Sequence, residues 1–132
     1  MSYQAEKVVP EPVPESKVNA EIFSIVIPAF NSAKLLTRCL EALEKQSAKK
    51  SEFEVTVADD GSTDETLKML SQFKVRTELN LQWTTIPNSG PGNARNAGVI
   101  MSSGLWIGFI DADVIPHPDW VENALKLIQQ NR

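Results

Sequence analysis

Two carboxylates, Asp111 and Asp113, directly follow an apolar run at residues 105–110 of this 132-residue sequence. Acids at the end of a buried strand lose solvation and repel each other unless a cation offsets both costs. Mg²⁺ or Mn²⁺ does this, because oxygen ligands from carboxylates, phosphates and water suit these ions. Residues two apart on an extended chain point the same way. Both acids are therefore candidate metal ligands, with a solvated pair of loop acids as the alternative.

Polar and turn-forming residues also follow three other β-type runs, in segments 28–31, 59–62 and 87–92. Taken singly, each segment is explained by a turn or a helix cap. Ligands bind off the carboxyl ends of the strands in open parallel sheets. The convergence of all three segments with Asp111 and Asp113 on one edge therefore predicts a ligand site there.

A glycine-rich segment, residues 90–98, leads into a predicted helix that carries Arg95. Such an entry lets backbone approach a phosphate, and the guanidinium adds a fixed positive charge. The segment matches neither the P-loop pattern nor the Gly-x-Gly-x-x-Gly of dinucleotide sites. A surface ion pair is the alternative for Arg95.

Strand-type and helix-type patterns alternate along residues 22–132, in the order β-α-β-α-β-α-β-α. This alternation predicts an α/β fold with parallel strands joined by helices. The apolar run at 105–110 is typical of a strand buried on both faces, and Ser62 with Glu65 forms a capping-box pattern. Residues 1–21, with prolines at 10, 12 and 14, are predicted to form an extended flexible leader.

The composition excludes several classes of protein. One cysteine, Cys39, rules out an internal disulfide framework, and one histidine, His117, rules out a His-rich metal site. The net charge of -4 disfavours a nucleic-acid partner. No apolar run is long enough for a transmembrane helix, and no secretory signal is recognisable. We therefore expect a cytoplasmic protein, with membrane association only through other segments or partners.

Four phrases together resemble glycosyltransferase family 2, in that family's order and spacing. They are Ser-Ile-Val-Ile-Pro-Ala-Phe-Asn at 24–31, Val-Ala-Asp-Asp-Gly-Ser-Thr-Asp at 57–64, Asn-Ser-Gly-Pro-Gly-Asn-Ala-Arg-Asn-Ala-Gly at 88–98 and Phe-Ile-Asp-Ala-Asp at 109–113. The resemblance covers about residues 22–121. It implies a Rossmann-like GT-A fold and a nucleotide-sugar donor.

The resemblance also implies roles for individual residues. The end of the first strand would form part of the nucleoside pocket, Asp60 would bind the nucleobase, and Gly90 with Arg95 would lie against the nucleotide. The Asp-x-Asp signature would contact ribose and a metal-bound diphosphate, with Asp113 as the usual metal ligand. The implied nucleotide-binding residues are Pro28, Ala29, Phe30, Asn31, Asp60, Asn88, Gly90, Arg95, Asp111 and Ala112, and the implied metal ligands are Asp113 and Asp111.

By this resemblance the expected donor is a UDP-sugar bound with Mn²⁺ or Mg²⁺, while the acceptor stays open. The family's acceptor site and general base lie beyond the Asp-x-Asp strand. Residues 22–132 therefore look like a donor-binding half truncated at its C-terminus, without a catalytic base, and prone to self-association. Asp119 and Glu122 are interpreted as helix N-terminal charges.

Two alternatives remain open from the sequence. A phosphoacceptor receiver domain would use Asp59 and Asp60 for Mg²⁺, with Asp113 and Pro116 as a second signature. The second alternative is a nucleotide-binding module without transfer activity. His117 is a weaker candidate metal ligand, since a loop histidine between two prolines is more often simply exposed.

Overall fold

The computed structural model describes residues 19–131, which form four strands and four α-helices in alternation. Residues 1–18 of the predicted leader lie outside the described residues, and residues 19–21 belong to the first strand instead. The elements in chain order are β1 (Asn19–Ala29), α1 (Ala33–Glu44), a 3₁₀ turn (Lys50–Glu52), β2 (Phe53–Asp59), α2 (Thr66–Arg76), β3 (Leu81–Thr85), α3 (Pro91–Met101), β4 (Gly104–Phe109) and α4 (Trp120–Gln130).

All four strands are parallel and lie in the order β3-β2-β1-β4, which confirms the predicted α/β class. The register pairs Ile27 with Val57 and Val57 with Trp83. In receiver-type sheets β1 lies between β2 and β3, whereas here β3 pairs with β2. This topology contradicts the receiver alternative and matches the nucleotide-binding doubly wound sheets.

Helices cover both faces of the sheet. Side chains of β1 alternate between the faces: Ile25 and Ile27 join a large cluster with α1, α2 and α4, while Val26 faces α3. The α3 face has a smaller apolar cluster, made of Ala58, Ile86, Ala94 and Ala97. This double cover explains why residues 23–29 of β1 and all of β2 are buried, their polar side chains included.

The prediction that residues 105–110 form a strand buried on both faces is wrong for β4. The strand lies at the edge of the sheet, and Leu105 is 60% exposed while Phe109 is 49% exposed. Pairing with β1 covers one edge of the strand, and Trp120 covers part of one face near Gly108. The apolar run therefore predicted the strand correctly, but it did not predict that the strand lies at the edge of the sheet.

The predicted capping box of α2 is also wrong. The helix starts one turn later than expected, after Glu65, which makes no side-chain cap. Asp64 Oδ1 instead accepts hydrogen bonds from Thr66 N at 2.9 Å and Thr66 Oγ1 at 2.6 Å. The hydroxyl bond is the main reason that the pKa of Asp64 is lowered. The Ser62 hydroxyl instead accepts a hydrogen bond from Asn31 N in the β1–α1 loop.

The four α-helices are 11 or 12 residues long. Within residues 19–131, none combines the length and apolar character needed to cross a membrane. Along α1 the predicted stripe is confirmed for Leu36, Cys39, Leu40 and Leu43, but Leu35 is exposed.

Candidate functional site

A cavity of about 390 Å³ opens at the carboxyl edge of the sheet. The ends of β1 and β2, the β3–α3 loop with the first turn of α3, and the segment following β4 form its walls. Its lining residues are Pro28, Ala29, Phe30, Asp60, Asn88, Gly90, Pro91, Ala94 and Asp111. Seven of these nine were predicted to bind nucleotide, so the fold brings most of the candidate residues to one place.

Asn31 has a different position from its predicted one. It has a left-handed φ of 47°, which Asn tolerates better than most residues. Its Oδ1 accepts hydrogen bonds from Thr63 N at 2.7 Å and Asp64 N at 3.1 Å, and its own N–H donates to Ser62 Oγ at 2.8 Å. Asn31 therefore clips the β1–α1 loop to the β2–α2 loop, and the cavity lining does not include it.

Asp60 organises the opposite wall of the cavity. It is 4% exposed, and its Oδ1 accepts from Ser89 N at 2.8 Å. Its Oδ2 accepts from Gly90 N at 3.0 Å and from Asn88 Nδ2 at 3.2 Å. A carboxylate offers about four lone-pair positions, so these three bonds leave one acceptor position for a ligand.

A tight turn, residues 59–62, holds Asp60 in place. Asp59 is fully buried, its Oδ2 accepts from Ser62 N at 3.0 Å, and its Oδ1 has no partner among the described residues. Gly61 has a φ of +78°, and a Cβ there would lie 2.8 Å from Asn88 N. Only glycine fits this turn, because both the backbone conformation and the close loop exclude a side chain.

The N-terminus of α3 faces the cavity through Gly90, Pro91 and Ala94. Gly90 precedes the helix with a φ of 103°, a conformation that favours glycine. The first N–H groups of a helix lack intrahelical partners and, with the helix dipole, favour an anion. The first turn of α3 thus lies at the cavity with a favourable charge for an anion, and the phosphate contact stays a prediction.

Arg95 and Asp111 form an ion pair beside the cavity, with Nη2 and Oδ1 3.6 Å apart. Both side chains are substantially exposed, so their attraction is weakened by water. Asp111 lines the main cavity, while Arg95 lines a neighbouring one of about 330 Å³ that also contains Asp111. The ion pair that the sequence left as an alternative for Arg95 is present, with the guanidinium at the border of the site. Its contact with a nucleotide stays a prediction.

Asp113 does not line either cavity, and the extended geometry assumed for Asp111 and Asp113 is wrong. Residues 111–114 form a turn, closed by Val114 N donating to Asp111 O at 3.0 Å. Ala112 is buried in the main core, so its side chain does not face the predicted nucleotide. Asp113 is exposed, and no Lys or Arg within residues 19–131 pairs with it.

The donor set on this turn fits one kind of metal site. Within the described residues, no three His, Cys, Asp or Glu side chains are placed to hold a metal together. Mg²⁺ and Mn²⁺ commonly use one or two carboxylates and take further ligands from phosphates and water. Asp111, which lines the cavity, and the exposed Asp113 two residues later match that pattern rather than a complete protein cage.

The remaining titratable candidates, His117, Asp119, Glu122 and Cys39, line neither cavity, and each has contacts within the fold. His117 is exposed, and its Nδ1 lies 2.7 Å from Asp119 Oδ1. Glu122 lies in the first turn of α4, where it accepts from Ser47 Oγ at 2.7 Å. That bond and Lys126 lower the pKa of Glu122. Burial, with a smaller effect of the Asp113 charge, raises the pKa of the Cys39 thiol to about 12, so this thiol is unsuited to nucleophilic chemistry.

Two residues that line the main cavity, Pro91 and Ala94, were not predicted from the sequence. Both lie inside the glycine-rich phrase, and helical spacing from Gly90 could have indicated Ala94. Trp120 was not predicted either; it lines the neighbouring cavity and tilts against Phe23 with ring centroids 5.8 Å apart. Nothing in the local sequence signals that contact, since it joins the two ends of the domain.

Known proteins share both the sequence pattern and this architecture. The chain is 33% identical over 109 residues to the poly(ribitol-phosphate) beta-N-acetylglucosaminyltransferase TarS of Staphylococcus aureus, covering 83% of the chain and 19% of TarS. It is 37% identical over 107 residues to the glycosyltransferase AglE of Haloferax volcanii, covering 80% of the chain and 34% of AglE. The chain thus spans about a fifth to a third of the length of these relatives.

Solved structures agree with the sequence comparison. The crystal structure of S. aureus TarS 1-349 in complex with UDP-GlcNAc superposes with a TM-score of 0.75 at 37% identity, covering 82% of this chain and 31% of that one. The mannosyltransferase PcManGT from Pyrobaculum calidifontis, in complex with GDP-Man and Mn²⁺, gives 0.74 at 25% identity, covering 91% and 34%. These are GT-A fold enzymes. The family described as Glycosyl transferase family 2 matches residues 24–132, and the chain belongs to this family.

Proposed function

We propose that this chain is the donor-binding part of a glycosyltransferase that uses a UDP-sugar. The observation that carries the proposal is the cavity at the carboxyl edge, where Asp60, the first turn of α3 and Asp111 converge. Its volume of about 390 Å³ lies in the range of small-ligand sites. TarS, a relative with the same fold, has been solved with UDP and with UDP-GlcNAc.

In the proposed arrangement the nucleoside occupies the cavity between the end of β1 and the β3–α3 loop. Phe30, 45% exposed at the rim, offers an aromatic face to the base. The remaining acceptor position of Asp60 is available to a base N–H. Such a bond discriminates between bases, because a mismatched edge leaves a buried polar group unpaired.

The diphosphate would lie toward α3 and the Asp111–Asp113 turn. The helix N-terminus and Arg95 supply positive charge there, and the two carboxylates would hold a divalent metal shared with the phosphates. Bound Mn²⁺ or Mg²⁺ would supply Lewis-acid stabilisation of the leaving diphosphate. The residues of this chain would orient the donor, and the sugar would project past Asp111 to an acceptor.

The experiment is a calorimetric titration of the 132-residue protein with UDP, in Mn²⁺ and in EDTA, with ADP and CDP as competitors of different base. We expect saturable UDP binding that Mn²⁺ strengthens and that exceeds binding of the other two nucleotides. No UDP binding under either condition would overturn the proposal. UDP binding that is indifferent to Mn²⁺ would leave the nucleotide site standing and overturn the metal assignment.

A further inference from the structure

Gln46, just beyond α1, joins two parts of the fold that are far apart in sequence. It is 6% exposed, and its Oε1 accepts from Val121 N at 2.9 Å. Its Nε2 donates to His117 O at 2.8 Å and to Ala42 O at 3.3 Å. The three hydrogen bonds of the Gln46 amide thus join the end of α1 to the segment at the start of α4.

The loop that carries Asp113 begins and ends at fixed points. At its start, Ile110 N donates to Val26 O at 3.1 Å, which continues the pairing of β4 with β1. At its end, the Gln46 bonds are reinforced by Ser47 N donating to Pro118 O at 2.8 Å. The end of the loop, at His117 and Pro118, is therefore held by the segment following α1.

The loop itself has few contacts of its own to fix its position. In segment 111–119, only Ala112 and Pro116 are buried, while Val114 and Ile115 are exposed hydrophobic residues. Exposed segments with few buried contacts open locally at low free-energy cost. The placement of Asp113 therefore depends on the buried neighbour Ala112, on the turn closed by Val114 N and Asp111 O, and on the anchors at the two ends of the loop.

We propose that Gln46 is a positioning residue, which holds the loop bearing Asp113 so that its carboxylate meets a metal-bound diphosphate. This inference rests on the proposed function. Gln46 does not line either of the two cavities beside Asp111, so it acts through the loop rather than by touching the nucleotide. Groups that hydrogen-bond a metal ligand from outside the coordination sphere typically change metal affinity by 10- to 100-fold when removed. Gln46 acts one step further out, through the backbone of the loop, so we expect an effect at the lower end of that range.

The test compares Gln46→Met with Gln82→Met. Methionine keeps the length of the side chain and removes its hydrogen bonds. Gln82 is a matched control, since its Nε2 also donates two bonds, to Thr56 Oγ1 and Met101 O, but near the α3 face of the sheet. For each protein, UDP affinity is measured in Mn²⁺ and in EDTA, together with the melting temperature.

We expect the factor by which Mn²⁺ raises UDP affinity to be about tenfold smaller in Gln46→Met than in the wild type. The affinity in EDTA should be unchanged. Gln82→Met should keep the full Mn²⁺-dependent gain even if its melting temperature falls as far. Gln46→Glu, which keeps an acceptor for Val121 N–H and loses the donor to His117 O, provides a second variant if methionine prevents folding. It should lower the same gain.

An unchanged Mn²⁺-dependent gain in the Gln46 variants would overturn the proposal. An equal loss in EDTA and in Mn²⁺, or the same loss in Gln82→Met, would also overturn it, because both results indicate a general structural role. A wild-type protein that binds UDP without any Mn²⁺ effect would overturn the metal assignment and this inference with it. If Mn²⁺ raises the UDP affinity of the wild type and of the Gln46 variants by the same factor, this inference alone is overturned and the metal assignment stands.

Discussion

Asp60 and Asp113 illustrate two ways in which this fold holds an acid at a ligand site. Asp60 is buried and bound by three donors of the β3–α3 loop, so its carboxylate has a fixed orientation. Asp113 is exposed on a turn and has no described cation beside it. Substitution of Asp60 therefore affects both loop structure and ligand selection, whereas substitution of Asp113 should affect ligand binding alone.

We predict that Asp113→Asn weakens UDP binding in Mn²⁺ and leaves UDP binding in EDTA unchanged. The amide keeps the size of the side chain but removes the anionic ligand that a hard divalent cation prefers. Isothermal calorimetry measures both affinities. Asp119→Asn, which changes an exposed acid later in the same loop, serves as the control and should bind like the wild type. Equal affinities for Asp113→Asn and the wild type in Mn²⁺ would refute this role.

We predict that Asp60→Ala removes the preference for uridine nucleotides and lowers the free energy of unfolding by about 1–3 kcal/mol, because three donors lose their acceptor. Asn88→Ala removes only one of those donors and keeps the carboxylate. It should lower stability less and retain the base preference. Competition titrations with UDP, CDP and ADP, with chemical denaturation, measure both effects. A preference that survives in Asp60→Ala would reduce this residue to a turn-forming role.

At the level of elements, α3 packs so close to the sheet at Gly98 that a residue larger than glycine would not fit there. A Cβ at Gly98 would overlap Val26 Cγ1 and contact Ala58 Cβ at 3.4 Å. The helix interior thus uses glycine for packing, despite the usual cost of glycine in a helix. This close approach sets the position of the α3 N-terminus, and therefore one wall of the cavity.

We predict that Gly98→Ala destabilises the protein by about 1–3 kcal/mol through overpacking and weakens UDP binding. The matched control is Gly92→Ala in the same helix, where an added Cβ meets nothing within 4 Å. That change should be neutral or stabilise by up to about 1 kcal/mol. Urea denaturation measures both changes. A Gly98→Ala protein as stable as Gly92→Ala would show that α3 can shift without cost.

The element order was predictable from sequence because apolar runs and helical stripes alternate clearly. The helix start at Thr66 was not, since Asp64 rather than Ser62 supplies the capping oxygen, and Ser62 instead binds Asn31 N. The edge position of β4 was also beyond reach from sequence. An apolar run indicates that a strand needs cover, but it does not say which neighbours the described chain provides.

At the level of the whole molecule, β4 carries exposed apolar side chains, and no other strand among residues 19–131 pairs with its outer edge. Such an edge offers unpaired donors and acceptors to another chain. We predict that the 132-residue chain self-associates through β4, and that Leu105→Lys shifts it toward monomer. Val75→Lys is the control, because Val75 is 87% exposed but lies on α2, away from that edge. Sedimentation velocity decides: a wild type that stays monomeric at high concentration would contradict this prediction.

The site was predictable as a set of strand ends but not as a geometry. All nine cavity residues lie within the four family phrases, and seven of them were predicted to bind nucleotide, because parallel strands bring their carboxyl ends to one edge. The positions of the Asn31 and Ala112 side chains could not be predicted from the sequence. One side chain clips two loops and the other enters the core, and both depend on contacts about 30 residues or more away, which local patterns do not encode.

The central claim is that a uridine nucleotide occupies the cavity between β1, β2 and α3. Backbone amide NMR shifts, recorded while UDP and Mg²⁺ are added, test it most directly. We predict that the largest shifts occur at Ala29, Phe30, Asp60, Gly90 and Ala94, and that the groove between α1 and α2, which contains Lys34 and Met69, stays unchanged. Shifts centred on that groove, or no shifts at saturating UDP, would contradict the account.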